Sequence, residues 1–140
     1  NNKYEVVNSL GYMGKYQFGY AALEDIGFIR KGCYAKYRHK APASCWSGKL
    51  GTYSRYGFLK SKKAQEEAIK LHFSLNYSRL IKNGTIKESD SQIKKAQAHF
   101  VAHLLGATAA YKYFKYNKDS KDGYGTKASE YSKLAKECLK

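Results

Sequence analysis

A mostly α-helical single domain spanning residues 1–140 is predicted by three observations. The length of 140 residues suits one domain. A chain this long buries about 68–70% of the surface it exposes when unfolded, so its core needs no metal or disulfide staple. Hydrophobic residues make up 43% and proline occurs once, which argues against disorder. From residue 61 onward, apolar residues recur at helical spacing.

Taken in order, the elements follow from local chemistry. Gly11, Gly14 and Gly19 punctuate the first twenty residues, so turns are expected there. Residues 20–26 read as a short helix with Ala21, Leu23 and Ile26 on its apolar positions, stopped by Gly27. Residues 28–57 show no helical period and read as an irregular region with a short β-hairpin. Ser61 is placed to cap a long helix, and Lys82 and Gly84 suit its end. Ala64, Ala68, Leu71 and Leu75 form one stripe on it; Ile69, Phe73, Tyr77 and Leu80 form a second. Such a wide apolar face predicts a largely buried helix. A third helix starts near Ser91 with Ile93, Ala96, Phe100, Val101 and Leu104 inward. Gly106 interrupts it, and Ala107, Ala110 and Phe114 continue in a fourth. Residues 117–125 are polar and read as a loop. Thr126 then suits the cap of a last helix, with Ala128, Tyr131, Ala135 and Cys138 inward.

Charge narrows the partners. The chain has 26 Lys+Arg against 11 Asp+Glu, a formal +15. Such a field draws a protein to polyanions: nucleic acid, anionic lipid or bacterial cell wall. No run of about eighteen apolar residues is present, so no membrane-spanning helix is expected. No signal peptide is visible, and the start at Asn1 reads as a fragment or a processed product. The three cysteines, Cys33, Cys45 and Cys138, cannot all pair within one chain. The spacing of Cys33 and Cys45 permits a short closed loop. No Cys-x-x-Cys occurs, which excludes a zinc ribbon.

The segment Tyr4-Glu5-Val6-Val7-Asn8-Ser9-Leu10-Gly11-Tyr12-Met13-Gly14-Lys15-Tyr16-Gln17-Phe18-Gly19 carries the most specific pattern. It resembles the active-site region of goose-type lysozymes and lytic transglycosylases, in which a catalytic glutamate ends a helix, a turn follows, and a Gly-x-x-Gln element lines the sugar cleft. Gly14-Lys15-Tyr16-Gln17 matches that element. Further matches follow in order: Ala22-Leu23, Trp46-Ser47-Gly48, Phe58-Leu59, Ala64-Gln65, His103-Leu104-Leu105-Gly106-Ala107 and Asp122-Gly123-Tyr124-Gly125-Thr126. The ordered set is similar to the muramidase domains fused to phage tail proteins and secreted antibacterial effectors. The resemblance implies a lysozyme-like fold, no cofactor, and cleavage of the MurNAc–GlcNAc β-1,4 bond in peptidoglycan glycan strands. It also implies a monomer, secreted or delivered to the periplasm or cell wall of target bacteria, with a delivery apparatus or a cognate immunity protein as partner.

Glycoside cleavage needs a carboxylic acid that protonates the leaving oxygen. The resemblance places that glutamate just ahead of Asn1, commonly as Glu-Ser. Glu5 is the nearest acid within the chain and is the candidate catalytic residue. A second carboxylate would stand about 5–5.5 Å away in a retaining enzyme and about 6.5–9.5 Å in an inverting one. Glu24, Asp25 and Asp122 are candidates, with solvated surface charge as the plainer reading of Glu24 and Asp25. Related transglycosylases use one carboxylate and let the sugar's own 6-hydroxyl attack.

For substrate binding the candidates are Gln17, Tyr16, Asn8, Tyr12, Tyr20 and His103. Aromatic faces suit sugar rings and phenols suit sugar hydroxyls, although core packing places tyrosines equally well. His99 and His103 have a metal-ligand spacing, but Phe100 stands where a metalloprotease would carry glutamate, so no metal site is expected. Lys60, Lys62, Lys63, Lys112, Lys115, Lys118 and Lys121 suit either attraction to an anionic wall or a solvated face. The competing function is a basic, non-enzymatic module that binds nucleic acid or cell wall. It leaves the Gly-x-x-Gln run unexplained, and no specific nucleic-acid motif is present.

Overall fold

The structure, a computed structural model, describes residues 3–138. It is mostly helical, at 62% helix, as the apolar spacing predicts. The α-helices of the described residues are α1 (Tyr20–Asp25), α2 (Cys33–Tyr37), α3 (Arg55–Lys60), α4 (Lys62–Lys82), α5 (Gln92–Leu105), α6 (Ala107–Tyr116) and α7 (Ala128–Cys138). Short 3-10 turns add Lys3–Glu5, Arg38–Lys40, Ala43–Cys45 and Lys49–Gly51. Among the described residues, extended structure is limited to isolated antiparallel bridges such as Val7 with Met13 and Ile29 with Trp46. The chain forms two compact units, Asn1–His72 and Phe73–Lys140. None of the described helices is long and apolar enough to cross a membrane.

The first unit is organised around aromatic rings. Phe58 on α3 is fully buried and meets Phe18, Phe28 and Trp46 at centroid distances of 6.1, 5.6 and 5.7 Å. The pairs with Phe18 and Phe28 are edge-on, the arrangement ring quadrupoles favour, each adding about 0.5–1.5 kcal/mol beyond burial. Met13, Leu23 and Ile29 complete the packing. The region expected to lack helical period holds α2, α3 and the 3-10 turns. Two devices make α2 possible in five residues: a disulfide joins Cys33 to Cys45, and Glu24 Oε1 accepts the Tyr34 backbone N–H at 2.9 Å. Glu24 is thus a helix cap rather than a solvated charge. Ser54 caps α3 by accepting the Gly57 N–H at 3.0 Å.

Helix α4 begins where expected, with Ser61 Oγ accepting the Ala64 N–H at 3.0 Å, and ends at Lys82 before Gly84. Its buried face differs from the expected one. Leu71 is 37% and Phe73 43% exposed, while Gln65, His72 and Asn76 are buried in line with Ala68 and Leu80. Polar side chains occupy a core stripe when their hydrogen bonds are met inside. Gln65 meets this condition, and apolar periodicity does not register it.

The second unit packs α5 against α6 and α7. Its core is Leu80, Ile86, Ala98, Val101, Ala102, Ala110 and Ala128, flanked by Tyr77, Tyr113, Phe114 and Tyr131. Ser91 caps α5 as expected, accepting the Lys94 N–H at 3.1 Å. The inward face of α5 is rotated from the expected one: Ala98 and Ala102 are buried beside Val101, and Ile93 is 42% exposed. On α7, Ala128, Ser132 and Ala135 are buried. Small residues on both helices let the backbones approach, and Gln97 Nε2 donates to the Ser132 carbonyl at 3.2 Å. Apolar spacing weights large residues and misses such a seam. The side chain of Cys138 lies outside the described residues. Between α5 and α6, Gly106 has φ +95 and ψ 156, a region essentially restricted to glycine. The start of α7 is held differently from the expected Thr126 cap. The Thr126 N–H is bound by Asp122, while Asp119 Oδ1 accepts the Ser129 N–H at 2.9 Å and Glu130 Oε1 the Lys127 N–H at 3.3 Å.

Candidate functional site

The Gly14–Gln17 turn is a built object. Met13 and Phe18 pair through two backbone hydrogen bonds of 2.9 Å and close the hairpin-like turn between them. Gly14 has φ +80, and a Cβ there would stand 2.3 Å from Gln65 Oε1. Only glycine permits that approach. Gln65 is fully buried and uses both ends of its amide. Its Oε1 accepts the Lys15 N–H at 3.0 Å, and its Nε2 donates to the carbonyls of Tyr4 and Phe58 at 2.9 Å each. The amide therefore ties the turn, the N-terminal segment and α3 to α4.

Gln17 follows with φ +53, a left-handed conformation uncommon for a residue other than glycine, asparagine or aspartate. Its Nε2 donates back to the Gly14 carbonyl at 3.0 Å, and the side chain is half-buried. Non-glycine residues hold such conformations only when their surroundings fix them, and they cluster at functional sites.

Beside the turn lies a cluster of phenols, lysines and carboxylates. Glu66 accepts the Tyr4 hydroxyl at 2.8 Å and the Tyr16 hydroxyl at 2.7 Å, and pairs with Lys15 Nζ at 3.5 Å. The hydrogen bond from Tyr16 and then that from Tyr4 hold the Glu66 carboxyl below its ordinary range against the opposing effect of burial, with the Lys15 charge a lesser aid. Burial and, second, the Glu66 bond push the Tyr16 phenol up. Lys15 is raised by Tyr16, Tyr4 and Glu66, and its ammonium stands 5.2 Å from the ring centroids of both tyrosines. Lys62 lies 5.5 Å from the Tyr4 ring. Glu66 is the residue the sequence reading passed over. The signal available was its place next to Gln65 in the Ala-Gln pair.

Glu5 ends the first 3-10 turn and forms an ion pair with Lys60, whose ammonium is raised chiefly by that bond. Asn8 Oδ1 accepts the Leu10 and Tyr12 N–H groups at 2.9 and 3.0 Å, so it shapes the turn leading into the motif. Tyr12 lies against His39 at 5.4 Å and fills the space beside Gly19. Tyr20 is only 3% exposed and packs edge-on against Trp46 at 6.0 Å, and burial raises its phenol. That is a core position, while Tyr16 is half-buried at the turn itself. His103 belongs to the second unit and meets the Phe73 ring at 6.2 Å, while His99 stacks on Tyr77 at 5.6 Å. Asp122 holds the loop before α7. Its Oδ1 accepts the Tyr124 and Thr126 N–H groups at 2.9 Å, and its Oδ2 accepts the Tyr131 hydroxyl. Burial, and then that bond to Asp122, push the Tyr131 phenol up to about 12. Among the described residues, no three His, Cys, Asp or Glu side chains are grouped to hold a metal ion.

Compared with family models, curated proteins and solved structures, the chain matches none.

Proposed function

We propose that this chain is a peptidoglycan glycosidase, a muramidase or lytic transglycosylase, that cleaves the MurNAc–GlcNAc β-1,4 bond. In this reading the fold is lysozyme-like, and the irregular first unit forms the face that meets glycan. The protein acts outside its producing cell, on the wall of target bacteria. The single observation that carries the reading is Gln17 at φ +53, closing a Gly-x-x-Gln turn braced by a buried glutamine. Backbone strain at a motif glutamine is what a substrate-positioning residue predicts, and a solvated loop gives no reason for it. The Gln17 amide then meets sugar hydroxyls beside Tyr16, with Tyr12 and Asn8 shaping the loop before it.

The general acid in this reading is Glu5 or a glutamate ahead of Asn1. Glu5 is ion-paired with Lys60, and a carboxylate so paired is stabilised as the anion. For Glu5 to protonate a leaving oxygen, glycan binding must open that pair and desolvate the carboxyl. Glu66 stays ionised through its phenol donors and suits electrostatic support rather than proton donation.

Incubation with purified peptidoglycan tests the proposal. Clearing of the suspension with release of soluble muropeptides is expected, and Glu5→Gln decides whether Glu5 is the acid. Failure to release muropeptides, from this chain and from one extended ahead of Asn1, together with steeply salt-dependent DNA binding, would favour the basic binding module instead.

A further inference from the structure

The turn at residues 14–17 is held from α4 by two neighbouring side chains. Gln65 Oε1 accepts the backbone N–H of Lys15 at 3.0 Å. Glu66 accepts the Tyr16 phenol at 2.7 and 2.9 Å through its two oxygens and reaches Lys15 Nζ at 3.5 Å. Consecutive helix residues therefore fix consecutive turn residues, immediately before the left-handed Gln17. The Glu66 side chain is 40% exposed. A surface carboxylate is ordinarily satisfied by water, and this one instead takes O–H donors from two tyrosines. Charge-assisted hydrogen bonds of this kind are short and directional, so they fix the orientation of the phenol. Tyr4 brings the segment that carries Glu5 to the same point.

Resting on the glycosidase reading, we propose that Glu66 is a positioning residue that holds Tyr16, and through it Gln17, in the arrangement that grips the glycan chain. Glu66 touches no reacting atom in this role. Its effect passes through Tyr16, and this separates it from a catalytic or purely structural residue. The phenol lifted by burial and by Glu66 supplies a signature independent of enzyme activity.

The test uses the isosteric Glu66→Gln, alone and combined with Tyr16→Phe, with Glu67→Gln as control. On soluble uncross-linked glycan strands, Glu66→Gln is expected to raise the apparent KM about tenfold, with kcat within about threefold, the scale of one charge-assisted hydrogen bond. In the Tyr16→Phe background the same change should alter KM less than about twofold, because the route is already cut. An equal loss in both backgrounds, or no loss in either, overturns the proposal. In parallel, NMR with 13Cζ-labelled tyrosine follows the Tyr16 phenol and the Gln17 backbone amide. Glu66→Gln should lower the Tyr16 titration midpoint and shift the Gln17 resonance, while Glu67→Gln leaves both in place. Unmoved resonances overturn the clamp whatever the enzyme assay reads. Moved resonances in the variant, with no glycan cleaved by the wild-type chain or by one extended ahead of Asn1, support the clamp and overturn the glycosidase reading alone. Should Glu66→Gln fail to fold, Tyr16→Phe removes the same bond from the other side and carries the same expectation for KM and for Gln17.

Discussion

The two units solve the same packing problem with different material. The first buries large rings, Phe18, Phe28, Trp46 and Phe58, among short helices and turns, and adds a disulfide. The second buries mostly alanine and single aliphatics between helices of ten to fourteen residues. Strain divides the same way. Among the described residues, non-glycine positions with left-handed φ are Gln17, Arg38 and Leu50 in the first unit and Asn117 in the second. Asparagine tolerates that region, whereas glutamine, arginine and leucine need outside support. Regular helices close the second unit. Ring packing and side-chain clamps let the first hold irregular backbone, and that is the material a recognition surface needs.

The largest expected effect breaks the ring core. Phe58→Ala removes the residue on which three other rings converge and should cost about 3–5 kcal/mol. Hydrogen exchange should report lost amide protection in residues 3–72 first. Equal loss throughout both units would show that the division is not energetic. Next is the disulfide: the span from Cys33 to Cys45 separates residues twelve apart. Opening a loop of that size by Cys33→Ser should cost about 3 kcal/mol, read by denaturant unfolding, and should expose α2. Full stability in the variant would remove the disulfide from the account.

Helix spacing placed the helices of the second unit. The Ser91 cap, the Gly106 break and the Ala107, Ala110 and Phe114 stripe all lie where the sequence places them. What it missed there was which face is small. Ala98, Ala102 and Ser132 form a seam that a search for large apolar residues passes over. In the first unit the motif turn, α1 and the start of α4 were legible, and α2 and α3 were not. The five-residue α2 depends on the disulfide and on Glu24, partners distant from it in sequence, and so has no local period of its own. Gln65 was visible only as half of the Ala64-Gln65 match and Glu66 not at all, because their role depends on residues 50 to 62 positions earlier in the chain.

A third test sharpens the contrast by overfilling the small seam. Ala98→Leu, at a fully buried position, should destabilise by about 1–3 kcal/mol, with protection lost in residues 73–138 and retained before them. Loss in residues 3–72 instead would place the seam's importance elsewhere. The smallest effect is a pH dependence at His99, whose imidazole is lowered by burial. Folded, it resists protonation, while the unfolded chain takes up a proton near about pH 6.5. The stability it contributes is complete above about pH 6.5 and declines as the pH falls below it, toward the depressed folded value. Thermal midpoints across that range should therefore fall on the acid side, and His99→Gln should flatten the decline. An equally steep decline in the variant would assign it to other groups.

The central claim is that the strained glutamine of the motif turn serves glycan cleavage. Mass spectrometry of the products from purified peptidoglycan, wild type against Gln17→Ala, tests it most directly. The account predicts soluble disaccharide-peptide muropeptides from the wild type, and a yield reduced at least about tenfold in a Gln17→Ala variant that remains folded. Equal muropeptide yield from the two proteins, or none from the wild type even when the chain is extended ahead of Asn1, would contradict it.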